Sequence, residues 1–271
     1  MASDDESQNQ SHTVEACIYG YKGSDDRHKW TLPCFLDFGK NKHKLILTDS
    51  QLKVRNLKMA QEVPSDACLV SYPGASTSDF LWLLTVGRVT KRGEDNLIFT
   101  HNPSDHFVPS VEECKLENCK FLDHASYITN NFTTYRCHRC RENCYTGKEL
   151  IFNIGINNYL YRNRTTQQYL NKLNPLATLK TLSKLLKNIG LKNFHFINLP
   201  KIRCPIIQQK QKLHKKIIND ISEYNKLIKK IHSNNNGTDI TFSEIHLKFR
   251  SDQIHLDEQT VISVYKKIAT L

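Results

Sequence analysis

The sequence predicts a mainly β fold followed by a basic, helical C-terminal part, and three observations lead there. Short runs rich in β-branched and aromatic residues fill the chain up to Thr100, four cysteines near the middle fall in two close pairs, and the hydrophobic period lengthens beyond residue 165. A chain of 271 residues with 39% hydrophobic content can build a real core in one large domain or two ordinary ones. The opening MASDDESQNQSH is polar and acidic, and no apolar run approaches the roughly 18 residues of a membrane span, so neither a signal peptide nor an anchor is expected.

In chain order, residues 1–12 read as a disordered tail and 13–79 as a β-rich N-terminal region. Val14–Tyr21, Trp30–Phe38, Leu45–Leu52, Ala67–Tyr72, Phe80–Thr90 and Asn96–Thr100 are strand candidates separated by GlySerAspAsp, ProSerAsp and ProGly turns. Six strands in so short a stretch suggest a small barrel or sandwich. Leu83–Lys91 and Asn96–Thr100, joined through Arg92–Asp95, form a hairpin candidate with glycine in its loop. Leu150–Ile156 alternates and continues the sheet.

Cys114, Cys119, Cys137 and Cys140 form a Cys-x4-Cys pair and a Cys-x2-Cys pair, a pattern that suits a tetrahedral structural zinc in a ribbon over 111–145. Binding the metal would also fold a loop too short for a core of its own. Cys144, His124 or His138 could replace one ligand. The scattered Cys17, Cys34, Cys68 and Cys204 read as buried thiols. An odd total of nine cysteines, with no secretory leader, predicts a reducing intracellular compartment without disulfides.

Charge divides the chain. The whole excess of 11 positive charges lies after residue 164, where 18 Lys and Arg face 7 Asp and Glu, a footprint suited to phosphates or simply a solvated helix face. Asn174–Pro175 starts a helix that Gly190 stops, with Leu176, Leu179, Leu182, Leu186 and Ile189 on one face and Lys180, Lys184 and Lys187 on the other. Residues 192–204 alternate as a strand. Ile217, Ile221, Tyr224, Ile228 and Ile231 recur at four and three, a heptad seam for packing on the domain or on a partner helix. Asp239–Phe249 reads as a strand and Asp257–Leu271 as a final helix.

The strand LeuLeuThrValGlyArgValThrLys, the ribbon ending ThrTyrArgCysHisArgCys, the strand GluLeuIlePheAsnIleGlyIle and the later LysAsnPheHisPheIleAsnLeuProLysIle together resemble the C-terminal domain of the replication protein A large subunit. The resemblance covers residues 80–235 and implies an OB-fold-like barrel with an inserted zinc ribbon, leaving 236–271 as a C-terminal strand and helix. It departs from the family in a longer loop between the cysteine pairs, in the extra Cys144, and in Lys215–Ile221, equally readable as helix.

What the resemblance implies is binding of single-stranded DNA, with RNA as the alternative, in nuclear replication, recombination, repair or telomere maintenance. OB-folds stack bases on aromatic rings and track phosphates with cations. Lys91, Arg92, Tyr159, Tyr161, Arg162, Arg164, Lys192, Phe194 and Lys201 are the candidates, and the 213–231 helix is the candidate contact for a protein partner. An interaction subunit without strand binding and a zinc-containing transcription regulator are the other readings. No phosphate loop, GxSxG elbow, HExxH helix or deaminase pattern occurs, so no catalytic residue and no enzymatic activity are expected.

Overall fold

A computed structural model describes residues 17–20, 42–86, 126–129, 132–135, 149–160, 175–188, 193–202, 211–235, 240–241, 245 and 247–271. Its centre is a five-stranded sheet in which every pairing is parallel. The strands are β1 (Cys17–Gly20), β2 (Lys44–Thr48), β3 (Ala67–Ser71), β6 (Glu149–Asn153) and β7 (Phe194–Phe196). They lie in the order β1-β3-β2-β6-β7. A separate antiparallel hairpin joins β4 (Ser126–Thr129) to β5 (Phe132–Tyr135).

Helices cover the sheet on both sides. Leu45, Leu47, Val70, Leu150 and Phe152 point to one face, where they meet α2 (Thr77–Val86), α4 (Pro175–Asn188) and α5 (Gln211–Ser233). Ile46, Ala67, Leu69 and Ile151 point to the other, toward α1 (Leu57–Gln61) and α6 (Glu258–Ala269). Successive residues of a strand face opposite sides. With both sides covered, β2 and β3 are buried along their whole length, and their interiors read as unbroken apolar runs, LIL within KLILT and ACLV within ACLVS.

This α/β/α arrangement overturns the expected OB-fold-like barrel and the resemblance behind it. Several strands fall where the sequence places them, but they pair parallel, which demands a crossover between neighbours and excludes a hairpin-built barrel. The sheet also runs across residue 79, because β2 and β3 pair with each other and β2 pairs with β6. The described part of the expected strand Phe80–Thr90, residues 80–86, lies in α2, whose entry is a reciprocal cap. Ser76 Oγ accepts from Asp79 N at 3.4 Å, and Ser76 N donates to Asp79 Oδ2 at 2.7 Å. Phe80, Leu81 and Leu83 of this helix are all buried, so no polar face marks its period. The strand expected over Asp239–Phe249 is reduced, among the described residues, to bridges of Ile240 with Ile197 and of Phe249 with Leu256.

The two long helices match their expected faces. In α4, Leu179, Leu182 and Leu186 are buried while Lys180, Lys184 and Lys187 are exposed. In α5, Ile217, Ile221, Tyr224, Ile228 and Ile231 are buried, all within the core on one side of the sheet. The heptad seam is therefore spent on the domain, and the partner contact expected through 213–231 loses its apolar face. Cys68, expected to be a thiol, is disulfide-bonded.

Candidate active site

Parallel strands end together, and their carboxyl ends are the usual place for a site in an open α/β sheet. Thr48, the last residue of β2, stands in register with Ser71 of β3 and Asn153 of β6. The segments that leave these three strands therefore emerge side by side. They are Asp49–Gln51, Tyr72–Ser76 and Ile154–Gly155, the last running into α3 (Ile156–Leu160).

The segment after β2 carries a hydroxyl. Ser50 Oγ lies 3.0 Å from His255 Nε2, across 205 positions of sequence. His255 Nδ1 lies 2.6 Å from Asp252 Oδ2. A carboxylate at Nδ1 fixes the proton there and leaves Nε2 to accept from the serine hydroxyl. This chain of hydroxyl, imidazole and carboxylate is the geometry of a nucleophile with its base and the base's orienting acid.

His255 reaches Ser50 from a tight hairpin. Phe249 bridges Leu256, Arg250 N donates to His255 O at 2.8 Å, and Gln253 turns the corner at φ 55°. Asp252 Oδ1 accepts from the backbone N–H groups of Ile254 and His255, each at 2.9 Å. Partial burial alone would raise the Asp252 carboxyl. The hydrogen bonds from His255 and from the two backbone groups outweigh it and hold the group below the ordinary carboxylate range. With its side chain 39% exposed, the acid is open to water and stays ionised.

The neighbouring segments are ordered by their own polar contacts. Ala75 N donates to Tyr72 O at 3.0 Å across Pro73 and Gly74, and Gly74 at φ 83° supplies the left-handed residue of that turn. Asn157 Nδ2 donates to Ala75 O at 2.9 Å, and Asn158 Oδ1 accepts from Thr77 N at 3.0 Å, which ties α3 to the segment after β3. Gly155 is required at φ 118°, where a Cβ would lie 2.8 Å from the Tyr224 ring. Tyr224 donates to Ile154 O at 3.1 Å, and burial pushes its phenol well above the ordinary value.

Asp49, which directly precedes Ser50, is fully buried. Its Oδ1 accepts from Gln51 N at 2.8 Å, while Oδ2 has no hydrogen-bond partner among the described residues. Burial outweighs that hydrogen bond and pushes the carboxyl up to about 7.

The residues singled out for strand binding are not gathered here. Tyr159 is buried in α3, edge-on to Tyr224, with its hydroxyl 3.4 Å from Asp220 O. Phe194 is 1% exposed and packs edge-on to Phe196. Neither ring has a face for a base, so both are corrected to core residues. Lys201 is exposed beyond β7. Lys91, Arg92, Tyr161, Arg162, Arg164 and Lys192 lie outside the described residues, as do the expected zinc ligands Cys114, Cys119, Cys137 and Cys140. Among the described residues no group of three or more His, Cys, Asp or Glu could hold a metal ion. Part of the basic excess lines a groove of about 490 Å3 between α4 and α5, where Lys180, Lys184, Lys187, Lys226 and Lys230 gather over Leu227.

No protein-family model and no curated protein matches the chain. Among solved structures the chain is similar to a GDSL-like lipase from Bacteroides thetaiotaomicron, at 12% identity and TM-score 0.46 over 91% of this chain and 94% of that one. A lipase/acylhydrolase from Enterococcus faecalis gives 14% identity and TM-score 0.43, over 84% and 96%. An acetyl xylan esterase gives 11% identity and TM-score 0.43, over 84% and 98%. A likeness at these scores does not by itself assign an activity. The expectation of a non-enzymatic, single-strand-binding protein is nonetheless withdrawn: the sheet is parallel, Tyr159 and Phe194 are buried, and Ser50, His255 and Asp252 form the constellation that the sequence was expected to lack.

Proposed function

We propose that the protein is a serine hydrolase that cleaves carboxylic esters. The observation that supports it is the continuous Ser50–His255–Asp252 chain, with contacts of 3.0 and 2.6 Å, at the carboxyl edge of the sheet. Ser50 Oγ attacks the acyl carbon as His255 Nε2 takes its proton. Asp252 steadies the imidazolium, and the same proton passes to the departing alkoxide, leaving an acyl group on Ser50. Water then repeats the cycle: His255 takes its proton and returns one to Ser50 as the acid leaves. The side-chain amide of Asn157, on the first turn of α3, donates one hydrogen to Ala75 O and has a second that could serve the oxyanion.

A fluorophosphonate probe and p-nitrophenyl acetate test this reading together. The wild-type chain should be labelled on Ser50 and should release nitrophenol, and Ser50→Ala should lose the label and about 10^4-fold or more in kcat while melting as the wild type does. Turnover that survives Ser50→Ala, or a folded wild type that neither labels nor turns over, refutes it. The four central cysteines are independent of this chemistry. A structural zinc there stays a separate proposal, checked by elemental analysis for one zinc per chain.

A further inference from the structure

We infer that Gln51 is a positioning residue that locks the base loop onto the nucleophile, with Arg55 as a second tie; this rests on the serine-hydrolase reading of the site. Gln51 directly follows Ser50 and is 1% exposed. Its Nε2 donates to Ile254 O at 3.0 Å, and its Oε1 accepts from Leu256 N at 3.2 Å. One amide thus holds the backbone on both sides of His255. The flanks differ in chemistry, a carbonyl before the histidine and an N–H after it, and only a side chain that both donates and accepts satisfies the two at once.

Arg55 repeats the link from the other side of the segment. Its guanidinium donates to Leu256 O at 3.2 Å and to Ser50 O at 3.3 Å. The Asp252 hydrogen bonds shape the hairpin internally but do not reach the segment that carries Ser50. The distance between Ser50 Oγ and His255 Nε2 therefore depends on side chains of the nucleophile segment gripping the hairpin. Such a contact must hold to a fraction of an ångström for proton transfer, and about 1 Å of misplacement costs about 100-fold in rate.

Gln51→Met keeps length and removes both hydrogen bonds. With p-nitrophenyl acetate, kcat should fall by about 100-fold with KM within about twofold. The downfield His255 Nδ1 proton in the NMR spectrum should broaden or move in the same variant. Gln51→Glu is the conservative partner: a protonated glutamic acid both donates and accepts, whereas the carboxylate cannot donate to Ile254 O. Its kcat relative to wild type should therefore be higher at pH 6 than at pH 9.

Wild-type kcat in Gln51→Met, together with an unmoved Nδ1 proton, overturns the inference. If Gln51→Met does not melt cooperatively, a pH-independent ratio for Gln51→Glu overturns it instead. If the wild type neither labels nor turns over ester, the hydrolase reading fails, and the Nδ1 proton of wild type against Gln51→Met or Gln51→Glu still decides whether Gln51 holds the histidine.

Discussion

Replacing Asp49 by asparagine should stabilise the protein at alkaline pH and destabilise it in acid. The Asp49 carboxyl is fully buried, receives one hydrogen bond from Gln51 N and titrates near 7, against 3.8 for an ordinary aspartate. The folded state thus keeps a proton that the unfolded chain releases above pH 3.8. Unfolding releases that proton throughout the interval, so stability is full below about pH 4, falls as pH rises, and levels off above about 7. At 1.36 kcal/mol per pH unit the loss approaches about 4 kcal/mol. The asparagine side chain would keep an acceptor for Gln51 N–H and cannot ionise, but it adds a buried NH2 that costs about 1–3 kcal/mol where unpaired. The net gain at pH 8 is then about 1–3 kcal/mol, and it should reverse to a loss of about 1–3 kcal/mol as pH falls to about 4 and below, where the wild-type carboxyl is protonated in both states. Urea unfolding of both chains at pH 4, 6 and 8 measures it. A difference that does not change with pH would show that Asp49 ionises as freely in the fold as out of it.

Gly155→Ala should destabilise the fold by about 2 kcal/mol or more, because φ 118° is closed to alanine and its Cβ would meet the Tyr224 ring at 2.8 Å; thermal melting reads the loss, and an unchanged Tm contradicts the assignment. Asp252→Asn should lower kcat on p-nitrophenyl acetate by about 10^3-fold or more with little change in Tm, since an amide can present its N–H to Nδ1 and favour the wrong tautomer. Because hydrogen bonds hold Asp252 below the ordinary carboxylate range, mild acid should not remove this anion: the 13C shift of its carboxyl should stay that of the ionised form between pH 8 and pH 5, and a shift toward the protonated form would contradict this.

Most of the local structure was legible where one face of an element is apolar and the other is wet. The leucine stripe of α4 and the four-three repeat of α5 carry their own period, and Asp257 caps α6 through Thr260 N at 2.8 Å. The strands were legible as strands but not as parallel. Their pairing depends on what covers the two faces, and an unbroken run such as ACLV is the mark of a strand covered on both. The helix α2 was hidden for the same reason. Its buried Phe80, Leu81 and Leu83 imitate a strand, and only Ser76 three residues before Asp79 announces a helical start.

The site was harder to see because its parts come from opposite ends of the chain. A serine one position past a strand is common, and an Asp-x-x-His step is common; what makes them a site is a sheet that brings residues 205 positions apart to 3.0 Å. The order Ser50, Asp252, His255 matches the order in which α/β hydrolases place their triad, yet that order gains meaning only after the parallel sheet is known. A closed barrel built from the same strands would place function on rings and lysines in the middle of the chain, whereas a parallel sheet places it at the carboxyl ends of β2, β3 and β6. The polar groups that gather there are expensive to bury without purpose: Asp49 Oδ2, Ser71 Oγ and Asn153 Nδ2 are all buried without a hydrogen-bond partner among the described residues. A fold that tolerates three such groups at the carboxyl ends of adjacent strands departs from what stability alone would select, and function is the usual reason for such a departure.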